Sequence, residues 1–151
     1  MQSDRWGKWV VAAAGIVIVV AGIAMLSSIS SRKAMLTIGS QLVHARVADT
    51  DDARHKGLSG TSSLADTDAM LFVFDNPGRW GIWMKDMSYN IDIVWLNESK
   101  KIIHIERDVS PETYPRVFLP SSDALYVVEL SSGFASMHGL GIGQVVSFSV
   151  R

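Results

Sequence analysis

Met70-Leu71-Phe72-Val73-Phe74 is a continuous apolar run, and the residues Asp75-Asn76-Pro77-Gly78 follow it directly. A short apolar run bounded by turn-forming residues is typical of a buried β-strand. Proline and glycine favour a turn because proline presets one backbone angle and glycine tolerates the left-handed region. We therefore predict a buried strand over residues 70–74 that ends in a turn at residues 75–78.

Short strands are also predicted on both sides of this run. Gln41 to Val47 alternates polar and apolar residues, which is the pattern of a half-buried strand. Thr50 suits a helix N-cap and Gly57 a C-cap, so a short helix is predicted between them. Further strands are predicted over residues 79–84, 91–96, 101–109, 125–130 and 144–150. Six or seven short strands separated by turns predict a mainly β domain, a sandwich or a barrel-like fold, with one or two short helices.

A hydrophobic block, Val10 to Leu26, precedes this β domain and contains no charged or amide side chain. With its flanking residues the apolar stretch reaches roughly 20 residues, which is the length of a transmembrane α-helix. A cleaved signal peptide is the alternative, and Ser28-Ile29-Ser30 is its best small-x-small site. We favour an uncleaved anchor because signal peptides usually have an apolar region of only about 7–15 residues.

The block divides the chain into four parts. The sequence predicts a short tail at residues 1–8, a single transmembrane helix at 9–29, a linker at 30–35 and the β domain at 36–151. The simplest topology is a single-pass protein of the cytoplasmic membrane. Its domain would then face outside, in the periplasm or at the cell exterior.

The β domain has an acidic net charge. Residues 34–151 contain 10 Lys and Arg and 14 Asp and Glu, a formal charge of −4. No cluster of basic residues follows one face of a helix or strand, which argues against nucleic acid as a partner. The chain contains no cysteine, which excludes disulfides, cysteine-ligated zinc and a cysteine nucleophile. No feature of the sequence indicates a cofactor.

An aromatic segment in the middle of the domain is the first candidate for a binding site. Trp80 and Trp83 lie three residues apart, so in a strand they would face opposite sides of the sheet. One of them could lie in the core, whereas the other must find a rim, a groove or a partner. Gly81 would let a ligand or another backbone come close. We predict a ligand-binding groove formed by Trp80, Trp83, Met84 and Lys85.

Two acids in apolar strands are the candidates for catalysis. Asp92 lies in the run Ile91 to Leu96, and Glu129 lies between Val128 and Leu130. A carboxyl group in such a place is either paired or has a raised pKa. As an acid/base pair, Asp92 and Glu129 would support a small enzyme, with Lys85 tuning one pKa. The alternative is structural, with both carboxylates accepting hydrogen bonds from backbone groups at strand ends.

His104, Glu106 and Asp108 share one face of the strand predicted at residues 101–109. That spacing could supply metal ligands, but alternation with isoleucine is also the pattern of a solvated strand face. No second cluster of ligand-type residues accompanies these three. We therefore predict no metal site.

The chain from about Leu42 to Val150 resembles a family of bacterial and archaeal proteins, the domain of unknown function 192 (DUF192). The most specific similarity is Trp83-Met84-Lys85 together with the strand Ile91-Asp92-Ile93-Val94. Other matching positions are Ala48-Asp49-Thr50, Arg54, Gly57-Leu58, Met70 to Phe74, Glu129-Leu130 with Gly133, and Leu140 to Gly143. The resemblance implies a mainly β, sandwich-like fold that is often exported or membrane-tethered. It brings no established reaction.

Two classes of function remain open. The first is a membrane-tethered binding or accessory module whose apolar, tryptophan-lined groove holds a ligand, a glycan or an envelope protein. The second is a small extracytoplasmic enzyme that uses Asp92 and Glu129. Convergence of the two carboxyl groups in an open cleft would favour the enzyme, and carboxylates tied to backbone amides would favour the module.

Overall fold

The computed structural model describes residues 32–150, which form one β domain. No helix within residues 32–150 has the length and apolar character needed to cross a membrane. The predicted anchor at residues 9–29 and the tail before it lie outside the described residues. The first strand begins at Lys33, inside the segment that the sequence assigns to the linker.

Seven strands and two short helices make up the domain. The strands are β1 (Lys33–Ile38), β2 (Gln41–Ala48), β3 (Asp68–Gly78), β4 (Ile91–Leu96), β5 (Ile102–Val109), β6 (Ala124–Ser131) and β7 (Val146–Ser147). The helices are α1 (Asp51–Lys56) and α2 (Phe134–Met137), and Pro111–Thr113 adds one 3₁₀ turn. The prediction of a mainly β domain with one or two short helices is confirmed.

The seven strands form a single sheet in the order β5-β4-β6-β3-β2-β1-β7. All neighbours are antiparallel except β2 and β3, which are parallel and are connected through α1. An isolated bridge between Lys101 and Val145 joins the segments that precede β5 and β7, the two edge strands. The sheet is therefore curled into a half-barrel, and residues 32–150 contain no second sheet that would make a sandwich.

Apolar side chains cover both faces of the central strands. All six residues of β4 are buried, because Val94 and Leu96 belong to one core and Ile93 and Trp95 to another. The first core also takes Leu36, Val43, Leu71, Val128, Leu130, Phe134 and Leu140. The second core also takes Leu58, Met70, Phe72, Ile82, Met84, Phe118 and Val127. Strands that are buried on both faces read as continuous apolar runs, which explains the sequence of β3 and β4.

The helix α1 forms as predicted, because both of its ends are capped. Thr50 accepts a hydrogen bond from the Ala53 amide at 3.3 Å, and the Gly57 amide donates to the Ala53 carbonyl at 2.9 Å. Gly57 has a φ of +46°, and a Cβ atom there would lie 3.1 Å from the Phe72 ring. The glycine therefore lets the chain turn closely over the second core.

Three local predictions are wrong. Residues 79–84 form no strand, and only Ile82 pairs there, as an isolated bridge with Phe118. The turn predicted at residues 75–78 is absent because β3 continues to Gly78, with an irregular register against β6. The strand predicted at residues 144–150 is shortened to Val146–Ser147.

Candidate functional site

Two adjoining cavities on the second-core face form the candidate site, which we call the aromatic cleft. The wider cavity has a volume of about 270 Å³ and reaches Phe74 and Trp80. The narrower one has about 50 Å³ and reaches Lys85 and Glu129. The two share six lining residues, Arg54, His55, Phe72, Gly81, Ile82 and Trp83. The helix α1, the strand β3 and the irregular segment after β3 therefore build one continuous depression.

A stacked pair of rings forms one wall of the wider cavity. Phe74 and Trp80 lie parallel, with centroids 4.2 Å apart and an interplanar angle of 4°. Trp80 is fixed further, because its Nε1 donates to the Asn76 carbonyl at 3.0 Å and its own carbonyl accepts from Trp95 Nε1 at 2.8 Å. Both rings are half-buried, so part of the stack remains available to a ligand.

Arg54 braces this wall from the helix α1. Its Nη1 donates to the Val73 carbonyl at 2.8 Å, and its Nη2 lies 2.6 Å from Asp51 Oδ1. The guanidinium carbon lies 5.4 Å from the Phe74 ring centroid, within the range of a cation–π contact. Arg54 is largely buried and fully engaged, so it holds the cleft in shape.

Gly81 brings a second segment of backbone against the cleft. A Cβ atom at this position would lie 2.5 Å from Val117 Cγ1 and 3.3 Å from Leu119 Cδ2. Only glycine therefore allows residues 80–83 to pack this closely on residues 117–119, where Ile82 and Phe118 exchange two backbone hydrogen bonds.

Of the predicted ligand-binding residues, Trp80, Trp83 and Lys85 line the cleft, whereas Met84 does not. Trp83 is 42% exposed, and its ring meets the Tyr114 ring edge-on, with the two ring centroids 6.0 Å apart. Lys85 Nζ lies 5.9 Å from the Trp83 ring centroid. Met84 is 1% exposed and belongs to the second core, so its assignment to the groove is wrong. The two tryptophans border the same cleft because their segment is not a strand.

Glu129 closes the narrow cavity from the sheet. Its side chain is buried, and its Oε2 atom has no hydrogen-bond partner among the described residues. Burial raises the pKa of the Glu129 carboxyl to about 8, and the charge of Arg46 opposes part of this shift. The carboxyl group is therefore mainly neutral at pH 7, and a neutral carboxyl group can donate a hydrogen bond as well as accept one.

Asp92 has a structural position at the other face of the sheet. Its Oδ1 accepts from the amides of Asp108 at 2.8 Å and Gly133 at 3.3 Å, and its Oδ2 accepts from the Ala135 amide at 2.7 Å. These bonds tie β4 to the end of β5 and to the start of α2. The surroundings match the structural interpretation of this acid.

Asp92 and Glu129 do not converge. In the register of β4 and β6, Asp92 lies opposite Leu130, and Ile93 lies opposite Glu129. Residues that lie opposite each other share a face, and successive residues alternate faces. The two carboxyl groups therefore point to opposite faces of the sheet, and the acid/base pair predicted for an enzyme does not form.

The face of β5 that was considered for metal is held by its own hydrogen bonds. His104 Nε2 lies 3.1 Å from Glu106 Oε1. Asp108 accepts from Ser132 Oγ at 2.6 Å and Asn90 Nδ2 at 2.8 Å, and these two bonds lower the pKa of its carboxyl. The Asp108 carboxyl group therefore points towards Ser132 in the connection between β6 and α2.

Sequence reasoning did not assign Arg54 and Phe74 to the site. Phe74 was interpreted as part of a buried strand, and Arg54 as one of the bases that complement the dipole of α1. The only sequence signal for Arg54 is its place in the DUF192 resemblance. Its contacts with β3 depend on the crossover from β2, which local patterns do not reveal.

Comparison with known proteins identifies relatives of the whole β domain. Residues 34–148 match the model of the family DUF192, described as "Uncharacterized ACR". A UPF0127 protein of Thermococcus gammatolerans is 28% identical over 109 residues, which are 71% of this chain and 67% of that protein.

Two crystal structures share the fold. The first is a protein of Sinorhizobium meliloti 1021 described as a "putative transcription regulator", with a TM-score of 0.73, 20% identity, and coverage of 81% of this chain and 98% of that one. The second is a protein of unknown function from Novosphingobium aromaticivorans, with a TM-score of 0.70, 22% identity, and coverage of 76% and 83%. At these identities the similarity is evidence of the fold alone.

Proposed function

The chain belongs to the DUF192 family, and from this premise we propose that it is a membrane-tethered binding module whose aromatic cleft holds a ligand outside the cytoplasmic membrane. The family has no described activity that would supply the function. The proposal therefore rests on the chemistry of the cleft and on the hydrophobic block Val10 to Leu26.

The observation that carries the proposal is the Glu129 carboxyl group at the end of the narrow cavity. A buried polar atom without a partner costs about 1–3 kcal/mol. A hydrogen bond to Glu129 Oε2, from a ligand group or from a water that the ligand displaces, would offset this cost. The cavity of about 50 Å³ beside Glu129 has room for such a small group.

The rest of the cleft indicates the chemistry of the ligand. The stack of Phe74 on Trp80 and the exposed face of Trp83 suit a ring that has an apolar face. The neutral Glu129 carboxyl suits a hydroxyl or amide group attached to that ring. We infer that an N-acetylated sugar of an envelope glycan is the kind of ligand that fits both parts.

Binding is favoured over catalysis because the two other acids considered for the site, Asp92 and Asp51, are both engaged away from Glu129. Asp92 is engaged with three backbone amides on the opposite face. Asp51 and Arg54 in the cleft wall are engaged with each other. The Arg54–Asp51 pair thus helps to hold the shape of the cleft.

The tether is supported by the sequence of residues 9–29. The length of this stretch matches a single membrane-spanning helix. The first described strand starts at Lys33, so the domain would begin only a few residues beyond the anchor. A ligand fixed in the cell envelope would then lie within reach of the cleft.

Titration of the full chain with small ring compounds tests the proposal. The full chain, in a sugar-free polyoxyethylene detergent, is titrated with N-acetylglucosamine, phenol and benzamide while amide NMR shifts are recorded. We expect at least N-acetylglucosamine to shift the amides of Arg54, Gly81 and Glu129. Trp83→Ala should weaken this response, and Met137→Ala, which changes a 72% exposed residue outside the cleft, should not. Absence of shifts at these three amides with all three compounds would refute the proposal.

A further inference from the structure

The domain contains a second and larger cavity, of about 690 Å³, which we call the basic cavity. Its walls come from β1 and β2 (Lys33, His44 and Arg46), from the loop of residues 60–64, and from the first residues of β3 (Asp68 and Ala69). It shares no lining residue with the aromatic cleft. Its volume lies in the range of about 300–1,000 Å³ that is typical of small-molecule sites.

Three basic side chains are brought to the same face by strand register. Lys33 lies opposite Arg46, and Met35 lies opposite His44, in the antiparallel pair of β1 and β2. Opposed residues share a face, and so do residues two apart in one strand, which puts Lys33, Arg46 and His44 together. Within residues 32–150 no acid lies within 4.0 Å of the charged atoms of these three side chains. The charges of Lys33 and Arg46 are therefore available to a ligand.

The loop opposite these cations presents further donors. The Gly60 amide donates to Asp86 at 2.9 Å and the Thr61 amide to Leu58 at 3.0 Å, so the start of the loop is fixed. The next three amides, those of Ser62, Ser63 and Leu64, make no hydrogen bond within the part of the chain that the structure describes. The hydroxyl groups of Ser62 and Ser63 make none there either. Successive amides without internal partners are a recurrent means of binding anions.

One acid, Asp68, also lines the basic cavity, opposite His44 in the parallel register of β2 and β3. It forms no ion pair with His44, Lys33 or Arg46 within residues 32–150. With Lys33, Arg46 and Asp68 charged and His44 neutral, the lining has a formal charge of +1. A ligand that combines one anionic group with hydroxyl groups fits such a lining, since hydroxyl groups can donate to Asp68.

We propose that the basic cavity binds the phosphate group of a hydroxyl-bearing phosphate ester, with Arg46 and Lys33 pairing with the phosphate and the Ser62–Leu64 loop donating to its remaining oxygens. A phosphate offers several strong acceptor oxygens, which matches a lining in which two cations and a row of amides lack partners. The same chemistry is found in a soluble ester such as glycerol 3-phosphate and in the headgroup of phosphatidylglycerol.

Binding of a ligand in the basic cavity should change the pKa of Glu129 in the aromatic cleft. The positive charge of Arg46 lowers the pKa of Glu129, against the larger effect of burial. A bound phosphate would offset that charge, so the pKa of Glu129 should rise when the cavity fills. This response would distinguish binding at Arg46 from binding of phosphate to a remote basic surface.

Calorimetric titration of the full chain in nonionic detergent micelles tests the proposal. The probes are glycerol 3-phosphate, sodium acetate, and micelles doped with phosphatidylglycerol or with phosphatidylcholine. We expect saturable binding of glycerol 3-phosphate, of phosphatidylglycerol, or of both, and no saturable binding of acetate. Binding of the soluble ester assigns a soluble source of phosphate, and binding of phosphatidylglycerol alone assigns a lipid headgroup.

Arg46→Gln is the decisive variant, because it removes the charge and keeps an unbranched stem with a polar end. It should weaken phosphate binding by about 10-fold or more, as expected when a charge-assisted hydrogen bond is lost. Arg79→Gln is the matched control, since Arg79 is exposed and lines neither cavity, and it should bind as the unchanged chain does. Equal binding by both variants, acetate binding as tight as phosphate binding, or no phosphate binding by the unchanged chain would overturn the proposal.

Discussion

Replacement of the buried acid Glu129 by glutamine should make the protein more stable at neutral and alkaline pH. The pKa of the Glu129 carboxyl is raised from 4.5 to about 8 by burial. Because the folded state has the higher pKa, the protonated side chain is favoured by folding. The stability that it contributes is fully present below about pH 4.5 and is lost as the pH rises through about 8. Glutamine keeps the shape of the protonated acid and does not ionise.

The size of the effect follows from the shift in pKa. Each pKa unit corresponds to about 1.4 kcal/mol. Ionisation of Glu129 therefore lowers the free energy of unfolding by about 3 kcal/mol at pH 7 and by about 4 kcal/mol at pH 8.5, relative to pH 4.5.

Urea unfolding of the unchanged chain and of Glu129→Gln at pH 4.5, 7 and 8.5 measures this effect. The free-energy difference between the two proteins should grow with pH, because all other titrating groups are common to both and cancel. Glu98→Gln is the matched control: Glu98 is exposed, and the difference should stay constant. A difference for Glu129→Gln that does not change with pH would refute the assignment of a neutral buried acid.

Three further predictions address the remaining site residues and the N-terminal block. Asp92→Asn should lower the free energy of unfolding by about 2–3 kcal/mol, since three amides lose a charged acceptor, and a urea titration measures it; an unchanged midpoint would contradict the structural role. Lys85→Ala should change the stability by no more than about 0.5 kcal/mol, because the side chain is exposed, while weakening the NMR response to N-acetylglucosamine; a fall of many degrees in melting temperature would instead make Lys85 structural. Carbonate extraction of membranes should leave the full-length chain in the pellet, and recovery of a soluble species that starts near Ser31 would support a cleaved signal.

The central strands could be predicted because their sequences are apolar on both faces. Met70 to Phe74 and Ile91 to Leu96 each fill two cores, so a continuous apolar run marks the strand without any knowledge of its neighbours. The strand β1 was missed although Ala34, Leu36 and Ile38 alternate with exposed residues. Its first half falls in the predicted linker at residues 30–35, because it lies close to the hydrophobic block.

The course of the chain at residues 79–84 could not be predicted from composition. Tryptophan and isoleucine there are typical of a strand. The close packing of Gly81 beside Val117 and Leu119, which leaves no room for a Cβ atom, and the stack of Trp80 on Phe74 hold the segment in an irregular path instead. Tertiary contacts, some of them between residues more than 30 positions apart, decided this local structure.

The sequence could not predict whether Asp92 and Glu129 lie on the same face of the sheet either. Whether two residues on neighbouring strands share a face depends on strand register, and a shift of one residue reverses the answer. The register of β4 and β6 is set by the packing of both cores. The residue types at positions 92 and 129 carry no information about it.

The bridge between Lys101 and Val145 also bears on solubility during synthesis. Unpaired sheet edges can pair with the edges of other molecules and lead to aggregation. The strand β7 covers β1, and Val145 just before it pairs with Lys101 just before β5. Without residues 144–147 both β1 and β5 would be open edges, so a chain that ends before Val145 should form aggregates while the whole chain does not.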